Sequence, residues 1–105
     1  MIYNKLVRDN IPSIIRNNNE IAITKELNES EFIKYLYLKL EEETKEVINS
    51  TSSKEVLEEL ADLLEVIKFI SKCNNFSLED VIKKGEEKNL KKGSFNKKIL
   101  LIETK

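Results

Sequence analysis

From Glu29 to about Asn49 the apolar residues Ile33, Leu36, Leu40 and Val47 recur with the 3.6-residue period of a helix, and Ser30 is a plausible cap at its start. The run Asn49-Ser50-Thr51-Ser52-Ser53 breaks the period and reads as a turn, with one of its serines capping the next helix. That second helix, about Lys54 to Cys73, is strongly apolar through Val56, Leu57, Leu60, Leu63, Leu64, Ile67 and Ile70. A third opens at Ser77, where Ser77-Leu78-Glu79-Asp80 resembles a capping box with Asp in place of Glu or Gln, and runs to about Lys92 before stopping at Gly93. Only Gly85, Gly93 and Pro12 punctuate the backbone, which favours long helices. Outside them, Ile21-Ala22-Ile23-Thr24 and Lys98-Ile99-Leu100-Leu101-Ile102 read as short strands able to pair the N-terminal arm with the C-terminal tail. The expectation is a mainly α, antiparallel helical bundle with irregular or β-like ends, in one domain spanning residues 1–105.

Acidic residues interrupt this pattern in a regular way. Glu43 and Glu46 stand three residues apart near the end of the first long helix, and Glu59 and Asp62 repeat that spacing near the start of the next. Residues three apart project from one side of a helix, so each helix offers two carboxylates together. With the turn at about 50–53, Glu46 lies roughly 5 Å before it and Glu59 roughly 8 Å after it, at about 1.5 Å per residue. An antiparallel hairpin therefore sets Glu46 near Glu59, and Glu43 opposite Asp62 one turn further in. Glu43 falls on the apolar stripe, and Asp62 sits inside Leu60-Ala61-Asp62-Leu63-Leu64. A carboxylate on a buried face is costly unless paired, so these positions ask for a metal or a base. Four converging carboxylates suit Mg²⁺, which prefers oxygen ligands in an octahedron and keeps several waters.

Composition narrows the chemistry. The charged fraction is 35%, but Lys+Arg 18 against Asp+Glu 19 leaves a net charge of only −1, so no whole-chain field draws the protein toward nucleic acid or a membrane surface. With no histidine, Ser-His-Asp and Cys-His catalysis, His-ligated zinc and the Glu-x-x-His motif of di-iron bundles are all excluded. A single cysteine, Cys73, forms no intramolecular disulfide and reads as a small buried apolar residue. Neither a signal peptide nor a membrane-spanning run is evident, and a cytoplasmic protein is the expectation.

The arrangement Glu42-Glu43-x-x-Glu46, a short gap, then Glu59-x-x-Asp62-Leu63-Leu64 resembles the signature of the all-α nucleoside triphosphate pyrophosphohydrolases, the MazG and phosphoribosyl-ATP pyrophosphohydrolase-like superfamily. Tyr3-Asn4-Lys5-Leu6-Val7-Arg8-Asp9-Asn10-Ile11-Pro12 resembles the opening segment of a small house-cleaning subfamily, and Lys88-x-x-x-Lys92-Gly93-Ser94-Phe95 its closing segment. The resemblance implies Mg²⁺-dependent hydrolysis of a nucleoside triphosphate to the monophosphate and pyrophosphate, with Mn²⁺ able to substitute. It also implies Glu43, Glu46, Glu59 and Asp62 as metal ligands, with Glu42 as a base on the attacking water or a support behind the ligands. Lys5, Arg8, Lys88 and Lys92 become phosphate binders, because the leaving pyrophosphate develops charge that fixed cations stabilise. So short a chain looks like half of a bundle, and its hairpin has one uncovered side; a homodimer or larger symmetric oligomer would complete it.

Two other functions fit the same residues: a phosphoribosyl-ATP pyrophosphohydrolase of histidine synthesis, and a non-catalytic helical interaction module whose acids pair with a partner's lysines. Plainer roles also exist for single residues. Lys88, Lys91 and Lys92 complement a helix dipole, and Tyr3, Tyr35, Tyr37, Phe69 and Phe95 read as core or interface.

Overall fold

The computed structural model describes residues 1–105 and contains four helices and no strand. Helix α1 is a short turn at Ile11–Asn17, started by Pro12, whose fixed φ suits the first helical turn and whose missing N–H costs nothing there. Helix α2 spans Glu29–Asn49. Its cap is Asn28 rather than Ser30: the Asn28 side chain accepts from the Glu31 N–H while the Glu31 carboxylate accepts from the Asn28 N–H. The reciprocal pair satisfies two otherwise orphaned donors, which a serine inside the first turn cannot do.

Helix α3 covers Ser53–Cys73 and is capped by Ser52, and the intervening turn is tied down by Thr51, whose backbone N–H and hydroxyl both donate to Glu55. Helix α4 spans Leu78–Lys92 with the expected capping box between Ser77 and Asp80, and ends at Gly93, whose φ of 78° favours a glycine.

Helices α2 and α3 form the antiparallel hairpin, and every fully buried residue belongs to it: Leu36 and Glu43 on α2, Val66 and Ser71 on α3. Phe32 and Phe69 meet edge to face across it, 6.3 Å between ring centres. The Ser71 hydroxyl donates back to the Ile67 carbonyl, so its burial leaves no polar atom unpaired. Cys73, expected to be buried, is only half-buried at the end of α3.

Beyond the hairpin the chain is open. Helix α4 touches α3 alone and has no buried residue. The two segments read as strands, Ile21–Thr24 and Lys98–Ile102, are irregular and do not pair. A strand exists only against a neighbour that takes its backbone hydrogen bonds, and this single chain brings none to either segment. The radius of gyration is 17.9 Å, against about 13 Å for a compact chain of this length. Accessible surface is 9621 Å², roughly 3,500 Å² more than the about 6,100 Å² expected of a folded monomer of this mass.

Candidate metal centre

The hairpin carries its acidic residues where the two helices face one another. Glu43, Glu59 and Asp62 each offer a carboxylate oxygen, and these oxygens all lie within 4.8 Å of one another. Glu43 is buried, with 7% of its surface exposed, while Glu59 and Asp62 are half-buried at the open side. The donor set suits a hard cation: opposite oxygens about an octahedral Mg²⁺ are roughly 4.2 Å apart, so small side-chain adjustments would close the three around it.

Glu46 stands outside this trio and is exposed. The helical step explains it: three residues turn the direction of projection back by about 60°, so with Glu43 aimed into the hairpin Glu46 points to its edge. Its charge still reaches the centre. Partial desolvation, followed by the negative charges of Glu46, Asp62, Glu43 and Glu58, pushes the Glu59 carboxyl above the ordinary range. Crowded carboxylates resist ionising together, and a cation among them would relieve the repulsion.

Three basic side chains border the cluster. Lys39, one turn before Glu43 on α2, lies 3.5 Å from that carboxylate and 3.4 Å from Glu42, so the buried acid has a partner within its own helix. Lys39 is a site residue that apolar periodicity and acidic spacing do not single out, although its separation of four from Glu43 is a usable signal. The other two come from the N-terminal arm: Lys5 Nζ donates to Glu42 at 3.0 Å, and Arg8 Nη2 donates to Asp62 at 2.8 Å. Burial pushes the Glu42 carboxyl up, but the Lys5 hydrogen bond and the charges of Lys39 and Lys5 outweigh it and hold the group below the usual range. The same hydrogen bond and charge raise Lys5.

Lys88 and Lys92 are not brought to the carboxylates. They line a separate shallow recess at the end of α4 with Gly85, Asn89, Ser94 and Phe95, and neither forms an ion pair. A larger recess, between Lys68 and Lys72 at the end of α3 and Ser77 to Asp80 at the start of α4, contains none of the clustered acids.

A two-helix hairpin with an oxygen-only acidic centre and no histidine defines a class of helical, divalent-cation-compatible proteins rather than one activity. The sequence supplies the narrower assignment: the family model for the MazG nucleotide pyrophosphohydrolase domain matches residues 33–92. The chain belongs to that family, whose members generally depend on a divalent metal. The match runs from the first turns of α2 through the end of α4 and contains all three clustered carboxylates. No curated protein and no solved structure gives a significant match. No helix is long and apolar enough to cross a membrane.

Proposed function

We propose that this protein is a Mg²⁺-dependent nucleoside triphosphate pyrophosphohydrolase, cleaving its substrate to a monophosphate and pyrophosphate, with Mn²⁺ able to replace Mg²⁺. The observation that carries the reading is the meeting of Glu43, Glu59 and Asp62 on facing helices inside a MazG domain. When bound, the ion neutralises phosphate charge and lowers the pKa of a coordinated water, which provides a nucleophile without histidine. Glu43, Glu59 and Asp62 would hold it, with Glu46 at the edge of the site as a fourth ligand candidate. Glu42, kept ionised by Lys5 and Lys39, steadies those cations beside the ligands or accepts the proton of the attacking water. Lys5 and Arg8 bind the phosphates from the arm. Lys88 and Lys92 contribute only if an assembly brings them near the site of another copy.

Assembly is part of the proposal. One chain has roughly 3,500 Å² more surface than a compact monomer, so two copies have about 7,000 Å² in excess, enough to supply an obligate interface, and the exposed side chains include Leu57, Leu60 and Leu64 on a single stripe of α3. A symmetric homodimer or larger oligomer would cover them, within a single domain of residues 1–105. Removal of unwanted nucleotides in the cytoplasm is the cellular role this chemistry suits.

The test is a screen of common and modified nucleoside triphosphates, and of phosphoribosyl-ATP, with Mg²⁺ or Mn²⁺, following pyrophosphate release. A monophosphate and pyrophosphate should appear together. In ¹⁸O-labelled water the label should enter the monophosphate, reporting attack at the α phosphorus. Orthophosphate with a nucleoside diphosphate, or no turnover of any nucleotide with either metal, would overturn the reading.

A further inference from the structure

The N-terminal arm reaches the acidic centre with two cations and little else. Residues 1–7 make no backbone hydrogen bond, and Met1, Ile2 and Tyr3 are exposed. The polar ties of the arm to the hairpin are Lys5 on Glu42 of α2 and Arg8 on Asp62 of α3, with Leu6 half-buried between them. Arg8 differs from Lys5 in two ways. Its partner, Asp62, belongs to the carboxylate trio, whereas Glu42 does not. Its backbone is also anchored, since the Arg8 carbonyl accepts from the Ile11 N–H at the start of α1, so its side chain moves on a fixed pivot.

We propose that Arg8 and the metal ion compete for Asp62, so that metal loading releases the guanidinium from the carboxylate and frees it for the substrate's phosphates. The proposal rests on the metal-site reading above. Three gathered carboxylates draw a divalent ion more strongly than a single positive charge, and an ion among them repels a guanidinium on the same aspartate. Only an exposed ion pair has to break, because both the Arg8 and Asp62 side chains retain solvent contact. The freed fork has the shape to take two phosphate oxygens at once, and a triphosphate provides them where the empty hairpin offers only Asp62. Arg8 thus weakens metal binding in the absence of nucleotide and strengthens it in its presence. By linkage, metal and triphosphate then bind cooperatively through this one side chain.

The experiment is calorimetric titration of Mn²⁺ into the metal-free full-length protein, without nucleotide and then with inorganic triphosphate as a base-independent probe. Without the probe, Arg8→Gln should bind Mn²⁺ about threefold to fivefold more tightly than the unaltered protein, the scale of an exposed ion pair. Arg8→Lys should stay near the unaltered protein. With triphosphate present the order should reverse, the Arg8→Gln protein losing most of the gain in Mn²⁺ affinity that the probe gives otherwise. Lys5→Gln, whose partner lies outside the trio, should shift probe-free Mn²⁺ affinity less than Arg8→Gln. Equal or weaker Mn²⁺ binding by Arg8→Gln without triphosphate would overturn the competition while leaving the metal site intact. Mn²⁺ binding that Glu43→Gln and Asp62→Asn fail to weaken would instead remove the site, and the competition with it. Arg8 is exposed, and unchanged helical circular dichroism would show that its variants are folded.

Discussion

The α2–α3 hairpin and helix α4 start from equally good local signals and end in different states. Helix α4 has a complete capping box, acidic residues in its first turn, Lys91 and Lys92 in its last and a glycine stop. The hairpin helices are no better terminated, yet they enclose all of the buried residues while α4 encloses none. Capping and dipole terms decide where a helix begins and ends, at about 1 kcal/mol each. Burial decides whether it is held against anything, and Leu90 at 91% exposed shows that the far end of α4 is not, although its start touches α3. The lesson is a division: the acidic centre is gathered within one chain, whereas α4 and the tail after it leave Leu90, Phe95 and Ile99 to Ile102 exposed.

That division makes effects on chemistry and on assembly separable. Asp62→Asn and Glu43→Gln should each lower kcat by at least ~100-fold, since loss of metal charge and water activation removes several kcal/mol at the transition state. Light scattering should show their assembly unchanged. Leu60→Glu combined with Leu64→Glu should do the reverse first, raising the dissociation constant between copies by ~100-fold or more, because two carboxylates would be buried in an apolar contact. A protein that is already a fully active monomer at micromolar concentration would show that the exposed apolar stripe is not covered by a second copy.

The same division marks what could be read from the sequence. Periodicity and caps gave α2, α3 and α4 within a residue or so, since those signals are local. The i, i+3 acids on two facing helices pointed to Glu43, Glu46, Glu59 and Asp62. The hairpin gathers three of them, leaving Glu46 at the edge, because a short turn leaves little freedom of register but the helical step still sets each direction of projection. Helix α1 was missed: seven residues beginning beside a proline carry too little period to stand out. The Asn28–Glu31 box was visible in the residues but lost to the nearer serine. Both strand readings failed for want of a partner, as strand formation is a statement about two segments and composition describes one. The placement of Lys5 and Arg8 against Glu42 and Asp62 depends on how the arm folds back over the hairpin, which no local pattern encodes.

Metal should stabilise the hairpin against heat. At a Mn²⁺ concentration of about 100 times its dissociation constant, the hairpin should gain ~2.7 kcal/mol, seen as a rise in Tm of several degrees. Glu43→Gln and Asp62→Asn should lose most of that gain. Without metal, Glu59→Gln should raise Tm slightly, since Glu59 is the acid most clearly repelled by its neighbours. Glu43→Gln should not, because Glu43 is paired with Lys39. Identical metal-induced shifts in all these variants would place the cation elsewhere.

The pH dependence is a weaker effect still, and in it the helix caps and the acidic centre act with opposite sign. Asp80 at the start of α4 is held below its ordinary value of 3.8 by the hydrogen bond from the Ser77 N–H and by the Ser77 side chain beside it. Glu31 at the start of α2 is held below 4.5 by Lys25 and the Asn28 N–H. An acid whose folded pKa is depressed stabilises the fold above its unfolded value, and that stability is lost as pH falls through the folded one. Glu59 is the opposite case: its folded pKa lies above 4.5, so its ionisation works against the metal-free fold, and protonation relieves it as pH falls toward that value. In a chelator, Tm should therefore rise slightly from neutral pH toward the ordinary carboxylate range and then fall as the two caps are neutralised. With Mn²⁺ the upper part should invert, because protons compete with the ion for the same carboxylates and stability then grows with pH. Ser77→Ala, which removes a cap worth about 1 kcal/mol, should lower the whole curve without changing that inversion. Thermal scans at half-unit pH steps, with chelator and with Mn²⁺, would read the sign directly; parallel curves under the two conditions would mean that the hairpin carboxylates do not hold the metal.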